Sequence, residues 1–425
     1  MAENLVVNGV TYPNVAVVEM TNEGGDTVCF YPNGGGVPAV EKDVNFYDYD
    51  GTLLYSYTLD EMQRLTELPS GSKHDGLVFD GWNWTLADLK EYAKPMDVGA
   101  HYITDDGKTR LHLHLTSETH LSVPLCISQS QANGVTINWG DGSAEEKSAI
   151  RWANTIVHEY PSPGDYVITL AVTNGYLDLG LGYHYQSVIG GSSNAEGSMA
   201  KLYYKNSLRK VELGRGVNGL TARSFYCCMG LETVSVPAGV PITGNNVFAE
   251  CRRLRFLTCQ GPQSALSMVF GSCTGLERVS LSKGAYLGDN FFSGCSSLKK
   301  LRACLATEGT GFRAYMFNSC HTLEEAEIPA GQTVISDSTF RNAYSLRTAT
   351  IPAGVQTIEA NAFAGCFALC EIHLLPTTPP TLANTNAFTS LPADCVIYVP
   401  KGCLSAYQTA TNWSTYASQM REEEA

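Results

Sequence analysis

The sequence predicts a mainly β chain with short helices, in three parts: a small α+β unit near the amino terminus, a β-sandwich, and a solenoid filling the carboxy-terminal half. Three observations lead there. A seven-residue unit, Phe-x-x-Cys-x-x-Leu, returns through the second half of the chain, its phenylalanines 23, 22, 22, 25, 23, 23 and 25 residues apart from Phe225 to Phe388. After each leucine the side chains alternate apolar and polar, the period of a half-buried strand. Ahead of the array, two helix starts with capping residues lie among strand and turn signatures.

The repeat unit reads Phe225 to Leu231, Phe248 to Leu254, Phe270 to Leu276, Phe292 to Leu298, Phe317 to Leu323, Phe340 to Leu346 and Phe363 to Leu369, with a degenerate copy at Phe388. Such a period fits a leucine-rich repeat, in which no coil buries its apolar edge alone and neighbours must stack. Eight short strands at strand spacing give a parallel sheet roughly 34 Å long. Its outward positions form a ladder: Lys210/Glu212, Thr233/Ser235, Phe256/Thr258, Arg278/Ser280, Lys300/Arg302, Glu325/Glu327, Thr348/Thr350 and Glu371/His373. A face of that length suits a macromolecule better than a small substrate. The candidate ligand-binding residues are Lys210, Phe256, Arg278, Lys300, Arg302, Glu325, Glu327, Glu371 and His373.

The Phe-x-x-Cys-x-x-Leu unit, with turns such as Ile351-Pro-Ala-Gly-Val355, resembles the bacterial surface leucine-rich repeats called BspA-like. The resemblance implies a non-catalytic adhesion or recognition scaffold that is usually secreted, and no defined ligand.

Cys228, Cys251, Cys273, Cys295, Cys320 and Cys366 share one slot of the repeat, filled by Ala343 in one copy. A slot that accepts alanine wants a small buried group, so these cysteines read as core thiols rather than a disulfide framework. One sulfur per coil, without Cys-x-x-Cys pairs, offers no zinc site. A formal net charge of −14 argues against a general nucleic-acid binder or a partner for anionic membrane. No apolar run reaches the length of a membrane span. Residues 1–9 have neither a basic start nor an apolar core, so no secretory signal is expected in this chain. Either such a signal has been removed, or the protein leaves its cell otherwise, for example by lysis as a bacteriophage structural protein does.

Residues 1–45 read as an arm or small sheet, with a hairpin-type Asn8-Gly9 and a flexible break at Asn33-Gly-Gly-Gly36. Residues 46–111 form the α+β unit. Thr58-Leu-Asp-Glu61 has capping-box spacing, and Thr85-Leu-Ala-Asp88 opens a second short helix carrying Leu86, Leu89 and Tyr92 on one side. A hairpin with Asp106-Gly107 at its tip is expected over 102–111. Gly81-Trp-Asn-Trp84 with that hairpin resembles an amino-terminal module of leucine-rich repeat proteins from gut Firmicutes and their prophages.

Residues 112–176 carry Val135-Thr-Ile-Asn-Trp-Gly-Asp-Gly-Ser143, then His158-Glu-Tyr160 and Pro163-Gly-Asp-Tyr166. These strings resemble the immunoglobulin-type sandwich of the polycystic-kidney-disease (PKD) repeat class, which implies a spacer or contact module. Residues 177–207 read as a linker, 208–400 as the solenoid of about eight coils, and 401–425 as its terminal cap and tail.

Several strings imitate active sites. Gly214-Arg-Gly-Val-Asn-Gly219 fits a dinucleotide fingerprint, but Gly216 aligns with Gly239, Gly284, Gly331, Gly354 and Gly402, so it reads as the turn glycine of each coil. Gly271-Ser-Cys-Thr-Gly275 imitates a nucleophile elbow, yet its cysteine is the packing slot. Asp48-Tyr-Asp-Gly-Thr52 copies the start of haloacid-dehalogenase-type phosphatases, with Asp48 as nucleophile and Asp50 as acid/base, or else is a plain Asp-Gly hairpin turn. His112 and His114 share a strand face near His101 and His120, a spacing able to chelate metal but commoner on a half-exposed strand. Asp141 alone brings too few oxygens for calcium.

The reading is a non-enzymatic recognition protein with no cofactor or metal, binding a cell-surface or host protein or glycan. It acts as a bacterial surface adhesin or a phage virion or tail protein, with the repeats as a purely structural array as the alternative and a phosphatase through Asp48 and Asp50 as the remote one. Oligomeric state stays open.

Overall fold

The computed structural model describes residues 41–116, 121–129, 134–147, 154–173, 175–180, 187–190, 206–301, 311–326 and 328–424, with four short strands before them. Those four pair as Leu5–Val7 with Val10–Tyr12 and Val18–Thr21 with Thr27–Phe30, both antiparallel. Asn8, Gly9 and the Asn33–Gly36 stretch lie outside the described residues.

Residues 41–104 build a four-stranded sheet in the order Leu53–Tyr57, Val44–Tyr47, Met96–Thr104, Leu77–Trp82, with a parallel pair at its centre. Both helix starts behave as their caps dictate. Thr58 accepts from the Glu61 N–H at 3.1 Å and Glu61 reaches back to the Thr58 N–H at 2.6 Å, opening the helix Leu59–Arg64. Thr85 caps Leu86–Tyr92, which ends at Ala93 in the left-handed region, φ 47°. Their apolar sides bury Met62 and Leu89, together with Trp84 just ahead of the second helix, against Val44, Phe46, Met96 and Val98. The strand Val44–Tyr47 straddles the 45/46 boundary expected from sequence, so the unit begins slightly earlier.

The expected 102–111 hairpin does not form. A turn is there, with the Gly107 N–H on the Thr104 carbonyl at 3.2 Å, but the strands either side of it join different sheets. Met96–Gly99 pairs with Val44–Tyr47 and Ala100–Thr104 with Leu77–Trp82, while Thr109–Leu115 lies between Gly164–Val172 and Leu208–Glu212.

Residues 109–179 hold two facing sheets. One runs Asn154–Glu159, Ser122–Gln129, Leu177–Leu179; the other runs Ala144–Lys147, Val135–Asn138, Gly164–Val172, Thr109–Leu115. Leu111, Leu125, Ile137, Trp139 and Ile168 lie in their common core. The second sheet does not end there: Thr109–Leu115 pairs antiparallel with Leu208–Glu212, the first strand of the repeats. These sheets therefore close the amino-terminal end of the array, where a spacer was expected. The described part of 177–207, expected as a linker, is likewise built in. Leu177–Leu179 pairs with Ile127–Gln129, and the Val188 N–H donates to the Ser224 carbonyl at 2.8 Å.

From Leu208 the chain is a stack of coils held by columns of identical slots. The repeat phenylalanines form one unbroken file, each ring 5.1–5.8 Å from the next and within 17° of parallel from Phe225 to Phe388. Each is essentially fully buried, a gain of about 2–3 kcal/mol apiece relative to exposure. The cysteine slot does more than fill space. Cys251, Cys273, Cys295, Cys320 and Cys366 each donate Sγ–H to the phenylalanine carbonyl of the preceding coil at 3.0–3.2 Å. Ala343 fits the slot but forgoes that bond.

The glycine alignment fails as an account of the turns. Gly239, Gly284 and Gly402 have φ near +80°, whereas Gly216 and Gly354 are not left-handed. Instead two positions in every complete coil are left-handed, two before and two after the phenylalanine: Asn246 and Glu250, Asn290 and Gly294, Asn361 and Gly365 are three such pairs. The second of each pair turns its N–H onto the next coil, as Glu250 does to the Gly271 carbonyl at 2.8 Å. That repeated hydrogen bond offsets the cost of a positive φ at a residue other than glycine.

The single long parallel sheet expected is observed in sections. Leu208–Glu212 pairs with Thr233–Ser235, Phe256–Cys259 with Arg278–Leu281, Lys300–Leu301 with Glu325–Ala326, and Thr348–Ile351 with Glu371–Leu374 and Val396–Val399. A second parallel row, Val334–Ile335, Thr357–Ile358 and Thr381–Leu382, lines another side. The far end is closed by the helix Leu404–Thr409, the 3-10 turn Trp413–Gln419 and the strand Met420–Glu422. Trp413 and Tyr416 pack on Phe388, the last ring of the file.

Candidate functional site

The candidate face is the row of outward side chains on the repeat strands, and the structure divides it in two. Over the first four coils it is covered by the chain's own α+β unit, whose strand Met96–Thr104 lies across it. Contact is close: a Cβ on Gly99 would stand 1.8 Å from Thr258 Oγ1 and 2.7 Å from its Cβ, so only glycine fits. Ser235 Oγ donates to the Tyr102 carbonyl at 3.0 Å, and Ser280 Oγ donates to the Asp97 carbonyl at 2.7 Å while receiving Asn83 Nδ2 at 2.8 Å. Trp84 Nε1 donates to the Leu281 carbonyl at 2.9 Å, and the buried His101 places Nδ1 2.9 Å from the Val236 carbonyl. Lys283 reaches Asp88 and Glu91 at 2.9 and 2.8 Å.

Three sequence-predicted contact residues are therefore corrected: Phe256, Arg278 and Lys210 serve this internal seat. Phe256 is 4% exposed, packed on Tyr47 with ring centroids 5.6 Å apart and against Gly51. Arg278 bridges Asp97 at 2.8 Å and Glu41 at 2.7 Å and lies over the Tyr47 ring at 4.4 Å. Burial would lower its pKa, but Asp97, Tyr47 and Glu41 outweigh that and raise it. Lys210 lies over Tyr49 at 5.5 Å and pairs with Glu212 at 2.8 Å. Period-two alternation found the outward direction correctly; it carries no information on whether another part of the chain already occupies that side.

Beyond Arg278 the face opens. Lys300 and Glu325 pair at 3.3 Å on partly exposed side chains, and Thr348 and Thr350 are exposed. His373 is half-buried between Glu423 at 2.6 Å and Glu371 at 3.4 Å, stacked on Tyr398 at 5.0 Å. Arg302 and Glu327 lie outside the described residues. Beside this open half runs a feature the sequence reading missed. The slot after the repeat cysteine holds Met229, Arg252, Thr274 and Ser296 in early coils but His321, Tyr344 and Phe367 in later ones. His321 stacks on Tyr344 at 4.5 Å and Tyr344 meets Phe367 at a tilt at 5.4 Å, and Tyr344 and Phe367 are 40% and 59% exposed. Reading that column down the repeat alignment would have found them.

The active-site lookalikes have other work. Asp48 to Thr52 is a tight hairpin turn closed by the Asp48 N–H on the Thr52 carbonyl at 2.8 Å, with Asp48 buried against His74 at 2.9 Å. Cys273 is fully buried, which pushes its thiol up rather than toward a reactive thiolate. Gly214 lies against the backbone of Gly107 and Lys108, where a Cβ would come within 2.2 Å of a carbonyl oxygen. His112 pairs with Glu212 at 3.1 Å and His114 with Asp165 at 2.6 Å, while His120 lies outside the described residues. Asp141 accepts from Ser143 and from His158 at 2.7 Å; these bonds, the serine's foremost, hold its carboxyl at about 2. Among the described residues, no three histidine, cysteine or acidic side chains are placed to hold a metal ion.

Stacked coils with parallel strands, a phenylalanine file and a conserved-register leucine define a leucine-rich repeat solenoid. Residues 199–311 and 310–405 match the family model described as BspA type leucine rich repeat region, in six copies. Over residues 199–405 the chain is thus similar to leucine-rich repeats of the BspA type. Similar solved structures include a leucine-rich repeat protein from Bacteroides ovatus, with 19% identity, 51% of this chain and 54% of that one covered, and a TM-score of 0.41. The chain thus spans about half the length of that protein. A leucine rich cell surface protein from Faecalibacterium prausnitzii matches at 17% identity, covering 49% of this chain and 76% of that one with a TM-score of 0.23. The T. pallidum leucine rich repeat protein matches at 18%, with coverage of 44% and 86% and a TM-score of 0.24. No curated protein matches the chain by sequence.

Proposed function

We propose that this protein works by binding rather than catalysis, presenting the open half of its repeat array to a protein or glycan on a cell or host surface, as a bacterial surface adhesin or a phage virion component. The observation that supports this most is the internal seat. The ladder face over the first coils recognises a folded β unit through matched donors, acceptors and one close glycine contact. From Lys300 onward a face of the same construction carries Glu325, Thr348, Thr350, Glu371 and His373 with no part of the described chain lying across Thr348 and Thr350. Charged and hydroxyl groups on a rigid sheet supply selectivity and orientation more than raw affinity. The strings that imitate catalytic motifs are packing slots and turns, which agrees with a non-catalytic role.

The test is a screen of glycans, mucins and surface proteins against the full chain, followed by Lys300→Glu and Thr350→Arg on any hit. Loss of binding by about tenfold or more, the 1.4 kcal/mol scale of one good contact, is expected for both. Binding unchanged in both variants would remove the open ladder as the contact surface.

A further inference from the structure

The position that follows the repeat leucine forms a column along one margin of the sheet. Its first seven occupants, Arg209, Glu232, Arg255, Glu277, Lys299, Glu324 and Arg347, are all charged. Neighbours pair across coils, Arg209 with Glu232 at 3.3 Å and Arg255 with Glu277 at 2.7 Å. The next two occupants are Cys370 and Cys395. Strand register places them side by side: Glu371 pairs with Val396, and the Val396 N–H donates to the Cys370 carbonyl at 2.9 Å. Neighbouring strands lie about 4.8 Å apart, inside the roughly 4.4–6.8 Å Cα separation that a disulfide spans. This pair is unlike the stacking cysteines, which are sealed in the core. The Cys370 thiol is exposed, resting on the Arg347 carbonyl at 3.1 Å, whereas Cys395 is buried.

We propose that Cys370 and Cys395 are a dithiol that a low-molecular-weight disulfide, such as glutathione disulfide, oxidises to a staple joining the last two coils. The exposed Cys370 thiolate attacks one sulfur of glutathione disulfide and expels one glutathione thiolate, leaving a mixed disulfide. The Cys395 thiolate then attacks the Cys370 sulfur, forming the protein disulfide and expelling the second glutathione. Two protein thiols are oxidised, one glutathione disulfide is reduced to two thiols, and the two protein protons pass to the departing thiolates or solvent. Burial raises the Cys395 thiol to about 12, so ring closure depends on a small thiolate fraction and accelerates about tenfold per pH unit near neutrality. The staple falls at the end of the array, where fewer coils remain to support one another.

The experiment treats the reduced full chain with glutathione disulfide at a series of pH values, traps free thiols by alkylation, and maps peptides by mass spectrometry without reduction. The expected result is a linked peptide containing Cys370 and Cys395, formed faster as pH rises, with an unfolding midpoint raised by roughly 5 °C and restored by a reductant. Cys395→Ser should instead keep a lasting glutathione on Cys370. A wild-type chain that retains glutathione on Cys370 without the linked peptide, or that links Cys370 to Cys403, overturns the proposal. Because the wild-type readout decides, poor folding of a variant does not shield the idea.

Discussion

The first four coils and the later ones are built on one inward plan and two outward ones. Inside, both halves carry the same phenylalanine file and the same buried leucines. Outside, the early coils offer small hydroxyls, Ser235, Thr258 and Ser280, and a backbone comes down onto them. The later coils offer Glu325, Thr348, Thr350, Glu371 and His373, which stay in contact with water. A repeat array therefore separates two problems that most folds must solve together. Inward slots specify the solenoid, and outward slots can change from coil to coil without disturbing it.

The sharpest way to break the covered half is to wedge it. Gly99→Val puts its Cβ into the buried, β-branched Thr258, which has no room to swing aside. A loss of about 4 kcal/mol in docking of residues 41–104 is expected, at the upper end of overpacking effects. Limited proteolysis should cut between 41 and 104 while the repeat array stays protected. Thr258→Ala in the same chain should recover at least about 1 kcal/mol, a coupling expected only for touching residues. Equal protease resistance in wild type and Gly99→Val would mean the seat does not hold the unit.

How much of this was legible in the sequence follows the same division. The array, its register and the buried column were readable because stacking repeats one physical demand in every coil, so Phe248 and Phe340 announce the same slot. The helices were readable because Thr58 and Thr85 cap locally. What escaped was non-local. Nothing in the alternation around Phe256 says that Tyr47, some two hundred residues earlier, packs on its ring. The 102–111 hairpin failed for the same reason: its turn chemistry was right, but both strands had distant partners. The left-handed slots were missed because Glu250, Ser272 and Tyr315 are not residues that advertise a positive φ.

Acid gives a gentler probe of where the array meets the strand Thr109–Leu115. Glu212 lies on the first repeat strand, nearly fully buried beside the strand Thr109–Leu115 that carries His112. Burial alone would raise its pKa, but hydrogen bonds from His112 and Lys210 and the charge on Lys210 outweigh it and bring Glu212 to about 2. Its folded value is below its unfolded one near 4.3, so its stabilisation is complete above that pH and is lost as pH falls toward 2. The loss is on the order of 3 kcal/mol, and Glu212→Gln should remove most of this pH dependence. Amide exchange should quicken along 109–115 and 208–212 in that window before it does along 348–351. Uniform loss of protection in both places would contradict a local seam.

The smallest expected effects test the division most directly, through two cations at neighbouring rungs. Arg278 has a buried carboxylate beneath it, since the Asp97 side chain is only 2% exposed. Arg278→Ala strands that charge, and breaking a largely buried pair costs about 3 kcal/mol, moderated here because the guanidinium itself is partly wet. A loss of about 2 kcal/mol in module docking is expected, measured by the midpoint of urea-dependent protease cutting at residues 41–104. Lys300 pairs with Glu325 at 3.3 Å, but both ends stand in water, where such pairs contribute at most about 0.5 kcal/mol. Lys300→Ala should leave every unfolding midpoint within error while still altering ligand binding. If the two substitutions destabilised the chain equally, the outer face would be structural throughout, and the contrast between seat and open surface would have to be abandoned.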